Sequence, residues 1–304
     1  MSKNCPIMQR IKSNYESRSQ THLTRRIPVI MRIDGKAFHT YTKGLNKPFD
    51  GGLMDDMNST AIHLCQNIQG AKCAYVQSDE ISILITDYDT LQTDAWFDYN
   101  VQKICSISAS LATGVFNYLR IKRLFGSTIG TFVKDPIYTK EYVVSMPFET
   151  FDNFILASFD SRTFNIPKEE VANYFLARQK DAVKNSIASV AQSLYSSKEL
   201  HGKNGNQQQE LIFQKGINWN DFSVSEKRGR FIVKNTYWNG ELVTSKEVLD
   251  KYGDYNIEQY TKNIVLIDEV FYEEDEVITP TIRTKWEVVE TPLTFNEQNF
   301  KQWL

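Results

Sequence analysis

The sequence predicts an α+β fold: an antiparallel sheet in ferredoxin-like βαββαβ order with helices packed on it, followed by a helical and β-rich C-terminal extension. Three observations carry this expectation. Apolar runs of strand length recur at residues 28–33, 73–76, 81–85 and 154–159. Apolar stripes of helical spacing separate the first run from the second and the third from the fourth. A short polar break, Ser78-Asp79-Glu80, joins the second run to the third and leaves no room for a helix.

Residues 28–33 are apolar except for Arg32 and read as a central strand. Period-two alternation puts Arg32 and Asp34 on one side and Ile33 on the other. After a loop at 43–50, Leu53, Met57, Ala61, Leu64, Cys65 and Ile68 recur at helical spacing. Residues 67–70 end that helix. Ile81, Ile83 and Ile85 alternate with Ser82 and Leu84, so 73–76 and 81–85 form a hairpin. Asp94 suits the N-cap of a long helix. Its stripe is Phe97, Val101, Ile104, Leu111, Val115 and Leu119, and small residues between 106 and 114 let it lie close to a sheet. Residues 124–150 read as irregular, with a short strand at 142–144 before the strand at 154–159. Pro167 opens another helix, with Glu169 and Glu170 in the first turn, where the helix dipole favours them. Its buried face is Val171, Tyr174, Phe175, Ala182, Ile187, Val190 and Leu194. Residues 201–209, rich in Gly, Asn and Gln, read as a mobile loop, and 211–216 as a short helix ended by glycine. Lys227-Arg228-Gly229-Arg230 precedes the apolar Phe231-Ile232-Val233. Beyond it the pattern is strand-like and acidic, at 264–267 and 277–289. The expected division is a main α+β domain over 1–235, with a basic N-terminal segment, and an acidic strand-rich extension over 236–304.

A chain of 304 residues with net charge −2 has room for a substantial core and no global basic signature. Charge is uneven, however. Lys3, Arg10, Lys12, Arg18, Arg25 and Arg26 face Glu16 alone near the start, and Glu273-Glu274-Asp275-Glu276 lies near the end. A local basic face can serve nucleic acid even at neutral total charge, and a solvated charged tail fits the same composition. Cys5, Cys65, Cys73 and Cys105 show no metal-ligand spacing and read as reduced thiols, at least two of them in the core. No apolar run approaches membrane-spanning length and the N-terminus carries no apolar leader, so the expectation is a cytoplasmic protein that does not meet a membrane.

Asp34 ends the first apolar run and is followed at once by Gly35. Asp79 sits in the hairpin break. Taken singly, each is an ordinary strand-ending turn, since Asp and Gly favour turns. Taken together, they are strand-end carboxylates on neighbouring strands, able to hold a pair of divalent cations. Mg²⁺ favours carboxylates, waters and phosphate oxygens, and a metal pair clamps the attacking and leaving oxygens of a phosphoryl displacement. Arg32 beside Asp34 suits a triphosphate. The palm of polymerases and nucleotide cyclases uses the same element order, with metal carboxylates at these two places.

The chain resembles the tRNA-histidine guanylyltransferase family, and more closely its bacterial-type branch of 3′–5′ polymerases. The matching stretches are Arg32-Ile33-Asp34-Gly35, Phe38-His39, Lys47-Pro48-Phe49-Asp50, Gln77-Ser78-Asp79-Glu80, Phe159-Asp160-Ser161-Arg162, Arg178-Gln179 with Asp181 and Asn185, and Lys227-Arg228-Gly229. The resemblance implies that Asp34 and Asp79 are the catalytic carboxylates and hold two Mg²⁺, with the main-chain carbonyl of Gly35 as a further ligand. It implies that Lys36, Ala37, Phe38 and His39 cradle a nucleoside triphosphate and that Lys47 and Ser78 contact phosphates. ATP or an existing 5′-triphosphate activates the RNA end, and the 3′-hydroxyl of an incoming GTP or other nucleotide attacks it. The implied partner is tRNA, met by Arg178, Asn185, Lys203, Lys227 and Arg228, and the implied assembly is a homotetramer.

Two departures bear on the branch. Eukaryotic members carry an Asn-rich His-Ile-Asn-Asn-Leu-Tyr-Asn motif where this chain reads Val183-Lys184-Asn185-Ser186-Ile187-Ala188-Ser189. A family lysine aligns with Gln208, and Lys203 stands nearby. Both favour templated repair of 5′-truncated tRNA over addition of one guanosine to tRNA-histidine. A palm-type nucleotide cyclase and a palm that binds RNA without chemistry are the other readings. Asp34 and Asp79 count against the second of these, and Arg178, Asn185 and Lys227 against the first.

Overall fold

A computed structural model describes residues 5–125, 155–238, 241–243, 271–273, 276–278 and 282–290. The central sheet is built from β1 (Val29–Gly35), β2 (Ala71–Gln77), β3 (Glu80–Ile85), β4 (Phe159–Asn165) and β5 (Arg230–Trp238) in the spatial order β4-β1-β3-β2-β5. β6 (Glu241–Val243) turns back on the far end of β5, and β7 (Phe271–Glu273) and β8 (Glu276–Ile278) pair with each other as a separate ribbon. β9 (Ile282–Glu290) pairs β5 along its whole length, from Arg230↔Glu290 to Trp238↔Ile282. Every pairing is antiparallel. Helix α1 (Gly51–Asn67) links β1 to β2, and α2 (Val101–Phe125) follows β3, so the core is the expected βαββαβ unit. It is followed by α3 (Val171–Leu194), α4 (Gly205–Gln214) and the single-turn α5 (Val224–Arg228).

The strands read as near-continuous apolar runs because the sheet is covered on both faces. On one face Val29, Met31, Ile33, Val76, Ile81 and Ile83 are buried against Met57, Ala61 and Leu64 of α1 and Ile104, Ala112 and Phe116 of α2. On the other, Ile30, Tyr75, Leu84 and Phe231 are buried against Val171, Phe175 and Ala182 of α3. A third cluster, around Ile187, Val190, Ile212 and Trp219, seats α4 on the far half of α3. All four cysteines are free thiols, and Cys65 and Cys73 are buried. Among the described residues, no helix is long and apolar enough to cross a membrane.

Several elements differ from the sequence-based expectation. The fourth strand is not 154–159 but Phe159–Asn165, while Ile155 and Leu156 stay exposed. β4 is the sheet's edge strand, half-solvated and therefore polar at alternate positions, so an apolar run was the wrong signature for it. The helix after β3 is capped by Asn100 rather than Asp94: Lys103 N–H donates to Asn100 Oδ1 at 3.1 Å. Asp94 instead lies 3.8 Å from Arg25, and Phe97, half-exposed, takes left-handed backbone angles in the turn before the helix. Residues 201–209 are not a loop throughout. α4 starts at Gly205 with a reciprocal Asn204/Gln207 capping box, and glutamine is a good helix former. The turn between β2 and β3 is two residues, Ser78 and Asp79, with Glu80 already in the ladder. The expected strands at 142–144 and 264–267 lie outside the described residues.

Candidate active site

Asp34 ends β1 at the level where Glu80 of β3 stands opposite on one side and Asp160 of β4 on the other. Directly paired residues share a face, so three carboxylates form a row across three adjacent strands. Two residues along each strand, the next row is Ser82, Arg32 and Arg162. Like charges side by side are unfavourable, and arginines offset them. Arg162 Nη2 donates to Asp160 at 2.8 Å and lies 3.7 Å from Asp34. Arg178, from α3, donates to both Glu80 oxygens at 2.8 and 2.5 Å and to Asp181 at 3.1 Å. Arg32 Nε is 3.9 Å from Glu80, while Ser82 Oγ and Tyr174 Oη are joined at 2.9 Å.

Asp79 sits beside this row. The backbone places it: Ser78 takes a left-handed φ of 46°, and Gly35 N–H donates to the Asp79 carbonyl at 3.1 Å, locking the hairpin tip onto the end of β1. Burial pushes the Asp79 carboxyl above its ordinary value, and the neighbouring charges of Asp34 and Glu80 push the same way, against its own backbone amide and the Ser78 hydroxyl. Burial first, and the neighbouring carboxylates after it, penalise a bare charge on Asp79, and a divalent cation would offset both. Among the described residues no group of three or more His, Cys, Asp or Glu side chains is arranged to hold a metal. Two carboxylates leave the rest of an octahedral Mg²⁺ shell to waters and substrate phosphates, as that ion prefers.

Two contiguous cavities meet at this turn. The larger, about 570 Å³, runs from Gly35, Ala37, Phe38 and His39 past Lys47 and Asp50 to Arg230. The smaller, about 410 Å³, is walled by Arg32, Asp34, Glu80, Arg178 and Asp181. Gln77, Ser78, Asp79, Asn185, Ser189 and Gln192 line both and form the waist. The wall at Ala37 rests on local backbone chemistry. Ala37 adopts φ 54°, ψ 39°, and its carbonyl receives the amides of Thr40 and Tyr41, starting a helical turn over Phe38–Tyr41. A Cβ on Gly35 would lie 2.3 Å from the Phe38 ring, so this tight return needs glycine.

Of the residues singled out from sequence, the cleft gathers Asp34, Gly35, Ala37, Phe38, His39, Lys47, Ser78, Asp79, Arg178 and Asn185. Lys36 does not line it, and its amide donates to the Ser158 carbonyl at 2.8 Å. Lys203, Lys227 and Arg228 lie outside both cavities. Lys227 Nζ sits over the Trp219 ring, 5.4 Å from its centroid, and donates to the Asn220 carbonyl. Sequence reasoning gave no role to Gln77, Glu80 or Arg230. Glu80 had a legible signal, a second acid beside Asp79 and a matching arginine on the helix expected to cover that face. Gln77 and Arg230 had none, because their burial at the cleft depends on strands far apart in the chain.

An antiparallel palm carrying two strand-end carboxylates in a phosphate-sized cleft defines the class, a palm-type nucleotidyltransferase. Residues 8–167 match the model of the family described as Thg1, tRNAHis guanylyltransferase. A solved structure described as a bacterial tRNA(His) guanylyltransferase (Thg1)-like protein in complex with ATP is 36% identical, covers 98% of each chain and superposes with a TM-score of 0.67. The GTP complex described in the same words gives 36% identity, the same coverage and a TM-score of 0.64. The tRNA(His) guanylyltransferase of Saccharomyces cerevisiae is 25% identical over 244 residues, 75% of this chain and 92% of that one. The chain belongs to the Thg1 family of nucleotidyltransferases.

Proposed function

We propose that this enzyme adds nucleotides in the 3′–5′ direction to the 5′ end of tRNA, with template-directed repair of 5′-truncated tRNA as its preferred reaction. One observation carries the reading: Asp79 stands where two contiguous cavities meet and Asp34 lines the smaller of them, leaving room for two phosphate-bearing reactants around one pair of carboxylates. The larger cavity suits ATP or GTP, the nucleotides bound in the similar bacterial structures.

Asp34 and Asp79 would hold two Mg²⁺, with the Gly35 carbonyl beside them. Bound metal supplies charge stabilisation to the phosphoryl group in flight. The chain's own groups orient the reactants around it. Ala37, Phe38 and His39 would wall the nucleotide, the exposed Lys47 would offer a cation to its phosphates, and the Ser78 hydroxyl and Asn185 amide would face both reactants from the waist. Lys203, Lys227 and Arg228, outside both cavities, would serve the tRNA rather than the nucleotide. The exposed Ile7, Met8, Ile11 and Tyr15 of the N-terminal segment suit burial against another copy in a homotetramer, and a cytoplasmic location accords with tRNA as substrate.

A second reading, addition of one guanosine to tRNA-histidine, has the relatives' names in its favour. The replacement of the Asn-rich motif by residues 183–189 favours repair, since reading one tRNA requires amide and charged groups aimed at unpaired bases. Competition decides between them: a 5′-truncated tRNA of any identity against full-length tRNA-histidine, with all four nucleotides present. The expected result is extension of the truncated tRNA by the nucleotide that pairs with the opposing strand. Preference for intact tRNA-histidine, or guanosine added whatever the template base, overturns the repair assignment.

A further inference from the structure

We infer that Arg230 anchors a phosphate at the inner end of the larger cavity, where an anionic oxygen supplies the counter-charge that the protein itself withholds. Arg230 opens β5 opposite Val76 and is only 4% exposed, yet it lines the cavity. Its partners are neutral. Nε donates to Asn58 Oδ1 at 2.7 Å, Nη1 reaches the Ser225 carbonyl at 3.4 Å, and Nη2 is buried with no hydrogen-bond partner. Among the described residues no carboxylate is in ion-pair contact with it. Asp55 acts on it from a distance, but that side chain is exposed and lies 3.6 Å from Arg123. Of the other carboxylates that line the cavity, Asp79 lies at the waist and two are engaged in capping. Asp50 accepts from Leu53 N–H at 2.7 Å, and Glu226 from Ser223 N–H at 2.9 Å.

Burial pulls the guanidinium down to about 10, against smaller opposing pulls from Tyr75 and the distant Asp55, so it stays charged at neutral pH. A buried charge facing only neutral dipoles is expensive, and proteins keep such groups paired unless a ligand completes them. The other buried arginine of the described residues shows the usual solution: Arg120, also 4% exposed, sits 3.1 Å from Asp56. A neutral acceptor, such as a base carbonyl, would satisfy Nη2 without balancing the charge. A phosphate oxygen does both, and guanidinium is suited to it. The position is fixed tightly. The preceding Gly229 has φ 76°, and a Cβ there would lie 2.6 Å from both the Tyr75 hydroxyl and the Val76 carbonyl.

The inference deepens the proposed nucleotidyl transfer and rests on a phosphate entering this cavity. The phosphate can come from a nucleoside triphosphate or from an RNA 5′ end. The test compares full-length Arg230→Met and Arg230→Lys with the parent in thermal unfolding and in binding of three probes: magnesium tripolyphosphate, adenosine, and a 5′-phosphorylated RNA beside its 5′-hydroxyl counterpart. Arg230→Met should unfold at the parent's temperature or higher without ligand, because an unbalanced charge is gone. It should bind tripolyphosphate about tenfold more weakly or worse, the scale of one charge-assisted hydrogen bond, with adenosine unchanged. Arg230→Lys should keep part of the anion affinity. If only the preference for 5′-phosphorylated RNA falls, the phosphate is the RNA's. If Arg230→Met unfolds several degrees lower and keeps all phosphate affinities within twofold, Arg230 is a structural tether between Asn58 and Ser225 and the inference is wrong. Should Arg230→Met not fold, undiminished tripolyphosphate affinity in Arg230→Lys, together with an Asn58→Leu variant of lowered unfolding temperature, identifies the same structural tether and overturns the inference. Parent protein that binds tripolyphosphate through Arg230 yet transfers no nucleotide would overturn the functional reading and leave this inference standing.

Discussion

Arg178 holds both oxygens of Glu80 along one edge of its guanidinium, Nε donating to Oε1 at 2.8 Å and Nη2 to Oε2 at 2.5 Å. The pair fastens α3 to the end of β3 beside Asp79. Glu80 is 6% exposed, and this arginine is its nearest counter-charge, with Arg32 farther off at 3.9 Å. Removing one partner of a buried pair leaves the other unbalanced and typically costs about 3 kcal/mol or more. Arg178→Ala should therefore destabilise the fold by about that amount, and adding Glu80→Gln should recover much of it. Denaturant unfolding of the single and double variants measures both. An Arg178→Ala protein of parental stability would show that the fork contributes nothing.

Asp34→Ala or Asp79→Ala should abolish nucleotide addition while leaving the fold intact. Loss of a ligand of a transition-state metal costs about a hundredfold or more in rate. For Asp79 the electrostatics also give a sign. Its folded pKa is raised, by burial first, so the carboxylate favours the fold when protonated. That stabilisation is complete below the unfolded carboxylate value and is lost as pH rises through the raised folded value. At neutral pH Asp79→Asn should then unfold at a higher temperature than the metal-free parent and lose the rise that Mg²⁺ gives the parent. Thermal unfolding with and without Mg²⁺ checks this. An Mg²⁺-dependent rise that survives in Asp79→Asn removes Asp79 from the metal site.

How much of this was legible beforehand follows from where the information resides. Asp34 and Asp79 could be read because each ends a periodic run, and the order of the runs alone makes their strands neighbours. The α1 stripe could be read because one apolar face of a helix writes itself at a fixed spacing. β4 could not, since an edge strand alternates and one face of it is solvated. Arg230 could not be read either. Among the described residues no carboxylate forms an ion pair with it, and that is decided by α1, α5 and β2 arriving from three parts of the chain. Lys227 illustrates the reverse limit: its basic neighbourhood is visible in sequence, but its packing on Trp219 depends on a tertiary contact.

Gly35→Ala should damage both stability and activity. The new methyl would meet the Phe38 ring at 2.3 Å, and that ring is held by Phe159 and Phe116 at centroid distances of 5.2 and 5.7 Å. Overpacking of this kind costs about 1–3 kcal/mol, and it displaces the turn that walls the larger cavity. The companion Gly35→Ala/Phe38→Leu variant makes room for the methyl and should recover stability more than activity, because β1 must still return tightly beneath Asp34. Equal recovery of both, by unfolding and by nucleotide addition, would show that only core volume was at stake.

Reversal of Lys227 and Arg228 to glutamate should weaken tRNA binding much more than nucleoside triphosphate binding. The pair lies at the end of α5, outside both cavities but next to the larger one's wall at Ser225, Glu226 and Gly229. Cations that meet RNA phosphates release counterions, so removing each such cation should lower the slope of log affinity against log salt by about 1. Lys227 also packs over Trp219 and donates to the Asn220 carbonyl, so charge reversal disturbs local structure as well. A Lys227→Gln/Arg228→Gln variant separates the two effects, since it removes the charge with less repulsion. If the basic pair meets RNA, the glutamine variant flattens the salt dependence of tRNA binding and leaves triphosphate affinity unchanged. If it merely seats α5 against Trp219, the glutamine variant unfolds at a lower temperature, the salt slope stays at the parent's value, and the RNA track must be sought on another face.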